Sequence, residues 1–207
     1  MSSINILNHG DTKEINSEFM IDGKLQVKPF SFIRKYPMNT IHLFMLEHGI
    51  YVLPTTELID FLKENIIGNA IEIGAGNGAI GRALNIPITD SRLQERPDII
   101  QYYKAMKQPI IKYPKDVEKM DGEIAVDKYR PDTVIGAFIT HRWNGRNGNA
   151  WGVDERNLLK MVKRYIHIGN LVTHQHSDII KDKHEEHYFP WIVTRAVHQK
   201  ENRIFIF

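Results

Sequence analysis

The sequence contains no cysteine, and this absence excludes several kinds of site. Disulfide bonds, metal sites built on thiolates and cysteine nucleophiles all require that residue. The chain also has no apolar run of transmembrane length. Its first residues lack the basic start and apolar core of a secretory signal. We therefore expect a cytoplasmic protein that does not enter a membrane.

The sequence also has little excess charge of either sign. Its 207 residues carry a formal net charge of +2, and we find no basic stripe along the chain. A charge this small disfavours nucleic acid or a membrane surface as a partner. The hydrophobic fraction of 42% and the length suit one α/β domain with an elaboration. Neither property indicates an oligomeric state.

The most informative segment runs from Ala70 to Ile80. Its first four residues are typical of a buried parallel strand, which is a short apolar run. Glycines then alternate with other residues, so the backbone can turn tightly and a ligand can approach it. A helix is predicted at 79–84, and its first N–H groups favour an anionic or carboxylate-bearing ligand. Glu72 interrupts the apolar strand, and we expect it to accept N–H groups of the turn or of the ligand, because an unbonded buried carboxyl is costly.

This pattern, Glu-x-Gly-x-Gly-x-Gly after a strand, resembles the first motif of class I S-adenosylmethionine-dependent methyltransferases. The resemblance implies that the turn binds S-adenosylmethionine through Glu72, Gly74, Ala75, Gly76, Asn77 and Gly78. An alternative is an NAD-dependent oxidoreductase, because Gly76-x-Gly78-x-x-Gly81 satisfies the dinucleotide fingerprint. That fingerprint has no use for Glu72 and needs an acidic residue about 20 positions further on. The sequence has Gln101 near that place.

The order of predicted elements indicates the fold class. Five short strands alternate with helices, and two β runs at 191–198 and 203–207 follow as an antiparallel hairpin. We therefore predict an α/β fold with a doubly wound, mostly parallel seven-strand sheet that ends in this hairpin. The resemblance covers residues 51–207, the predicted Rossmann-like core. Residues 1–50 are predicted to form an N-terminal helical cap.

Acidic residues stand at the ends of the second and third predicted strands, where open α/β sheets bind ligands. The resemblance implies that Asp90 binds the two ribose hydroxyls of the cofactor. Glu95 is an alternative, because Asp90 follows the last motif glycine closely. The resemblance also implies that Asp121 and Gly122 contact the adenine. The alternative at both positions is an ordinary turn residue.

Candidates for the acceptor site follow the fourth and fifth predicted strands. His141 could act as a general base, since the pKa of histidine is near neutral. Trp143, Trp151 and His174 could bind a planar or anionic acceptor. No metal is predicted, because the chain lacks His-Glu-x-x-His and its C-terminal histidines fall in a charged segment, 177–187, predicted as a helix.

The acceptor itself is predicted to be a small molecule, held between the cap and the 141–151 loop. Enzymes that methylate amino groups of DNA bases often carry an Asp/Asn-Pro-Pro-aromatic motif after the fourth strand, and this chain has none. Methylation of cytosine at carbon 5 uses a cysteine, which is also absent. A non-catalytic protein that binds S-adenosylmethionine or a partner with the same fold is a further alternative.

Overall fold

The structure is a computed structural model that describes residues 12–139, 142–143 and 149–207. Its helices are α1 (Lys13–Phe19), α2 (Phe30–Ile33), α3 (Met38–Glu47), α4 (Thr56–Asn65), α5 (Ala79–Leu84), α6 (Pro97–Ala105), α7 (Gly122–Tyr129) and α8 (Glu155–Met161). Its strands are β1 (Met20–Ile21), β2 (Lys24–Leu25), β3 (Val52–Leu53), β4 (Ala70–Ile73), β5 (Thr89–Asp90), β6 (Glu118–Lys119), β7 (Thr133–Ala137), β8 (Arg142–Trp143), β9 (Asn149–Trp151), β10 (Arg164–Asn170), β11 (Glu185–His187), β12 (Val193–Thr194) and β13 (Asn202–Ile206).

The main sheet has five strands in the order β11-β13-β10-β7-β4. The strands β4, β7 and β10 are parallel, whereas β13 is antiparallel to both of its neighbours, β10 and β11. Strands β5 and β6 form a separate parallel pair. This pair lies beside β4, to which it is joined by one isolated bridge between Glu72 and Ile88. The carboxyl ends of β4, β5 and β7 therefore lie near one another.

The prediction of a seven-strand, mostly parallel sheet with a C-terminal hairpin is wrong. The main sheet has five strands of mixed direction, and β5 and β6 are too short, at two residues each, to extend it beyond the single bridge. The hairpin does not form either, because β12 pairs with the distant β3 rather than with β13. The Asn202 side chain bonds to Ile192 O at 2.7 Å and to the Thr194 hydroxyl at 2.8 Å, and these bonds hold the segment between β12 and β13 in its observed turn.

Helices cover both faces of the main sheet, as in an α/β fold. Neighbouring residues of β7 show this directly, because Ile135 packs with α4 and Val134 packs on the other face with α7 and α8. The helix α4 begins after an N-cap residue, Thr55, whose hydroxyl accepts a 3.0 Å bond from Leu58 N. The charged segment predicted as a helix at 177–187 instead contains a short 3₁₀ helix and the edge strand β11.

The N-terminal segment, described from residue 12, contains α1, α2, α3 and the β1–β2 hairpin. Its apolar side chains, among them Phe19 and Phe44, form a cluster that also includes Ala79 at the start of α5. The segment is therefore packed against the helix that follows the glycine turn. Among the described residues, every helix is too short or too polar to cross a membrane.

Candidate functional site

The turn after β4 is built from three glycines in the left-handed region of the backbone. Gly74, Gly76 and Gly78 have φ angles of 55°, 56° and 75°. Residues with a Cβ are strained there, because the Cβ crowds the following carbonyl oxygen. A Cβ on Gly78 would in addition lie 2.9 Å from the side chains of Ile88 and Val117. The turn therefore needs glycine both for its conformation and for space.

Glu72 is buried beneath this turn, with 1% of its surface exposed. Its Oε2 accepts a 2.7 Å hydrogen bond from the backbone N–H of Gly81 in α5. Burial raises the pKa of Glu72 to about 8, although the bond from Gly81 and the charge of Arg82 oppose the rise. Near neutral pH the side chain is thus mostly uncharged. Glu72 positions the start of α5 relative to β4, which fixes the far side of the turn.

Asp90, at the end of β5, faces the same turn. Its Oδ2 accepts a 2.8 Å bond from Gly76 N, and its Oδ1 accepts a 2.6 Å bond from Arg92 N. Burial raises the pKa of Asp90, and the two backbone bonds oppose that rise. Tyr113 also donates a hydrogen bond to this carboxyl. A carboxylate offers about four lone-pair sites, so capacity for a further donor remains. Asp90 can therefore hold the turn and still accept hydrogen bonds from a ligand.

Asn77 connects the turn to the N-terminal segment. Its Oδ1 accepts a 2.9 Å bond from Leu25 N, and its amide donates to Gly23 O at 3.1 Å. The guanidinium of Arg82 donates to the same Oδ1 at 2.8 Å. The side chain of Asn77 therefore ties the turn to the β1–β2 hairpin.

A cavity of about 350 Å³ lies against the turn. This volume is near the lower end of the range for small-molecule sites. Seven of the residues that the sequence predicts to bind the cofactor line it: Glu72, Gly74, Ala75, Gly76, Asn77, Gly78 and Asp90. The structure thus brings the glycine motif and Asp90 together around one cavity.

One wall of the cavity is aromatic, and sequence reasoning missed it. Tyr51, Tyr103 and Tyr113 line this wall together with Gln94 and Phe138. Two of the tyrosines and the glutamine come from the long connection between β5 and β6, which matches no motif. The only signal in the sequence was the density of tyrosines in that connection, and their number alone does not say which way they face.

Phe138 has a backbone conformation that is unusual for a bulky residue. It follows β7 with a φ of 56°. Such a conformation costs on the order of 1–3 kcal/mol and concentrates at functional sites. The Phe138 N–H bonds to Ile168 O at 2.8 Å, and its ring contacts the rings of Tyr51 and His174. The fold therefore holds this ring at the carboxyl end of β7, on the edge of the cavity.

Other predicted residues lie away from the cavity. Asp121 is exposed at the start of α7, and Gly122 is buried against Val153. Neither residue lines the cavity. Glu95 is exposed and pairs with Lys119 at 3.2 Å. The structure therefore does not bring these three residues to the turn.

The predicted acceptor residues divide between described and undescribed parts of the chain. His141 lies outside the described residues, and Trp143 and Trp151 belong to the paired strands β8 and β9. His174 is buried behind Phe138 and does not line the cavity. Its Nδ1 accepts a 3.0 Å bond from Asn170 N, and burial together with His167 lowers its pKa to about 3. A neutral imidazole of that kind is a weak base.

His174 belongs to a buried polar network rather than to a metal site. The ring of His167 lies 4.7 Å from that of His174, and its Nδ1 lies 3.3 Å from Oε1 of Glu155. The same carboxyl accepts bonds from the hydroxyls of Tyr165 at 2.8 Å and Ser177 at 3.3 Å. Across the described ranges, no group of three or more histidines and acids is arranged to hold a metal ion.

Comparison with known proteins adds little to this geometry. No family model and no curated protein matches the chain. A crystal structure of the Thermoplasma acidophilum protein 1320 aligns with 86% of this chain and 92% of its own, at 15% identity and a TM-score of 0.32. A likeness this weak carries no argument about fold or function.

Proposed function

We propose that this protein is an S-adenosylmethionine-dependent methyltransferase that acts on a small-molecule acceptor. One observation carries the proposal: three left-handed glycines after a buried strand and the carboxylate of Asp90 line one cavity. The turn leaves its backbone open to close approach by a ligand, since no Cβ stands in the way. Asp90, at the end of the neighbouring strand, presents acceptor oxygens to hydroxyl groups.

In this proposal each side of the cavity has its own role. Asp90 accepts hydrogen bonds from the ribose hydroxyls, and the glycines let the cofactor approach the backbone closely beside the ribose. Glu72 acts beneath them as a positioning residue through its bond to Gly81. The acceptor enters beside Phe138, where it meets the methyl group. Transfer from a sulfonium needs mainly alignment of the nucleophile, so the proposal does not depend on a strong base.

Ligand binding tests this proposal directly. We would titrate the protein with S-adenosylmethionine, S-adenosylhomocysteine and NADH and follow its melting temperature. A ligand at 100 times its Kd adds about 2.7 kcal/mol, which for a chain of this size corresponds to roughly 5–10 °C. We expect this shift with both sulfur ligands, and its loss in Asp90→Ala.

The matched control is Asp98→Asn, which removes an exposed carboxyl on α6. It should leave the shift unchanged. No shift with either sulfur ligand would contradict the proposal.

One contact favours a second candidate, an NAD-dependent oxidoreductase. A Cβ on Gly81 would lie 2.7 Å from Ile88 and 2.8 Å from Glu72 Oε2, so this glycine allows close helix–strand packing, as the third glycine of a dinucleotide fingerprint does. A shift with NADH alone would favour this candidate over the methyltransferase.

A further inference from the structure

Three polar side chains on the aromatic wall form a closed hydrogen-bonded group. The hydroxyls of Tyr51 and Tyr103 lie 2.9 Å apart. The amide nitrogen of Gln94 donates to both of them, at 3.3 Å and 3.2 Å. The amide oxygen of Gln94 accepts from Ile111 N at 2.9 Å. All three side chains line the cavity, so the group faces any ligand bound there.

The group has one more hydrogen-bond donor than its own acceptors use. The two amide hydrogens of Gln94 are both used, and one tyrosine hydroxyl donates to the other. Within the part of the chain that the structure describes, the second hydroxyl hydrogen has no acceptor. Burial raises the pKa of Tyr103 well above its usual range, which keeps its hydroxyl protonated at any ordinary pH. The wall therefore presents one free O–H donor to the cavity.

A positive charge stands behind this donor. The guanidinium carbon of Arg195 lies 3.9 Å from the centre of the Tyr51 ring. Its Nη1 is buried without a hydrogen-bond partner, and no described carboxylate forms an ion pair with it. Arg92 differs, because it stacks on Tyr113 but pairs with Glu95 at 3.5 Å. Among the described residues, Arg195 therefore has no carboxylate that compensates its charge behind the aromatic wall, whereas Arg92 has one.

The cavity is therefore polarised from one wall to the other. Both carboxyl groups that line it, Glu72 and Asp90, belong to the wall formed by the glycine turn and β5. Glu72 is mostly uncharged near neutral pH, so it is the carboxylate of Asp90 that repels a ligand's anionic end, and Arg195 attracts it, since the charge of a half-buried group is only partly screened. The free hydroxyl then supplies a charge-assisted hydrogen bond, which is stronger than a neutral one.

We propose that the group formed by Tyr51, Tyr103 and Gln94, backed by Arg195, binds a carboxylate of the ligand. This inference rests on the proposed methyltransferase function, from which two sources of that carboxylate follow. One is the methionine part of the cofactor, and the other is the methyl acceptor. Both sources share the same chemistry, and binding experiments separate them.

The experiment compares ligand pairs that differ in the carboxylate. S-adenosylhomocysteine carries one, and 5′-methylthioadenosine lacks it; benzoate carries one, and benzamide lacks it. Binding of all four is measured by calorimetry to the wild type, Tyr103→Phe, Arg195→Gln and Arg195→Lys. Controls are Tyr188→Phe and Arg96→Gln, which change exposed residues that do not line the cavity. Far-UV circular dichroism checks that each variant is folded.

If the cofactor is the source, Arg195→Gln and Tyr103→Phe weaken S-adenosylhomocysteine roughly 10- to 100-fold, as expected for a bond to a charged group, and leave 5′-methylthioadenosine unchanged. If the acceptor is the source, the same variants weaken benzoate and leave benzamide and both nucleosides unchanged. Arg195→Lys should recover part of either loss.

The proposal is overturned if neither carboxylate ligand responds to the variants, or if each neutral partner weakens equally. A wild type that binds benzoate through Arg195 but does not bind S-adenosylhomocysteine would refute the methyltransferase alone and leave the carboxylate site standing.

Discussion

Replacing Glu72 by glutamine should change how the stability of the protein depends on pH. Glu72 is 1% exposed, and burial raises its pKa from 4.5 to about 8. Below pH 4.5 the carboxyl is neutral in both the folded and the unfolded chain, so it adds no pH dependence. As the pH rises from 4.5 to 8, the unfolded chain loses this proton while the folded chain keeps it. The free energy of unfolding therefore falls across that interval.

The two pKa values set the magnitude of the effect. The interval of 3.5 pH units, at about 1.36 kcal/mol per unit, corresponds to about 5 kcal/mol. Glutamine cannot ionise, so the variant lacks this contribution. Its own cost, an amide N–H₂ group buried in place of a carboxyl, is on the order of 1–3 kcal/mol and does not vary with pH. The difference between wild type and variant thus isolates the titration of Glu72.

Urea unfolding at pH 5, 6, 7 and 8.5, followed by circular dichroism, measures this difference. We expect Glu72→Gln to become more stable relative to wild type by about 4 kcal/mol between pH 5 and pH 8.5. Glu64→Gln, which removes an exposed carboxyl on α4, controls for the change in net charge. A wild-type-minus-variant difference that stays constant over this range would refute the reasoning, because it would mean that Glu72 is ionised in the folded protein.

Three further outcomes follow from the buried groups and the turn. The pKa of His174 is lowered to about 3, so the unfolded chain takes up its proton first as the pH falls below 6.5. By pH 4 the wild type should lose about 3 kcal/mol more than His174→Asn, as urea titrations would show. Gly78→Ala should lower the free energy of unfolding more than Gly23→Ala, because both glycines have φ near 75° but only Gly78 is crowded by neighbours. We expect a difference of about 1–3 kcal/mol; equal losses would exclude a steric cause. Asn202→Ala should cost about 2–4 kcal/mol by the same assay, because it leaves buried partners unbonded; a loss below 1 kcal/mol would contradict the role given to Asn202.

Local signals in the sequence predicted local structure well. The apolar run with alternating glycines identified β4 and its turn, and the helix predicted at 79–84 is confirmed as α5. The N-cap of α4 is local in the same way, because the Thr55 hydroxyl accepts its bond from Leu58 N, only three residues ahead in the chain. The position of Asp90 beside the turn was predictable because the end of a parallel strand next to β4 must lie near the end of β4 itself.

Pairing between distant segments was not predictable in the same way. The run at 191–198 has the composition of a strand, yet its partner is β3, some 140 residues earlier in the chain. Nothing in the composition of 203–207 distinguishes this arrangement from a hairpin. The observed arrangement is stabilised by a side-chain bond of Asn202, a residue that in the sequence is typical of a turn.

The aromatic wall of the cavity could not be predicted from the sequence for a related reason. Tyr51 comes from the segment before α4, and Tyr103 from the connection after β5, and their hydroxyls meet only in the folded chain. Asp121 shows the opposite error. Its place after a strand indicated a ligand contact, but that strand, β6, is two residues long, and the side chain points to solvent.

The bonds of Asn77 have a consequence for how this chain folds as it is made. They join the glycine turn to backbone atoms 52 and 54 positions earlier, at Leu25 and Gly23. Contacts between residues so far apart form late, because the intervening chain must first be closed into a loop. During synthesis the β1–β2 hairpin therefore leaves the ribosome before its partner exists. A chain shortened to residues 51–207 would carry the complete glycine motif and none of the backbone groups that Asn77 binds in this hairpin.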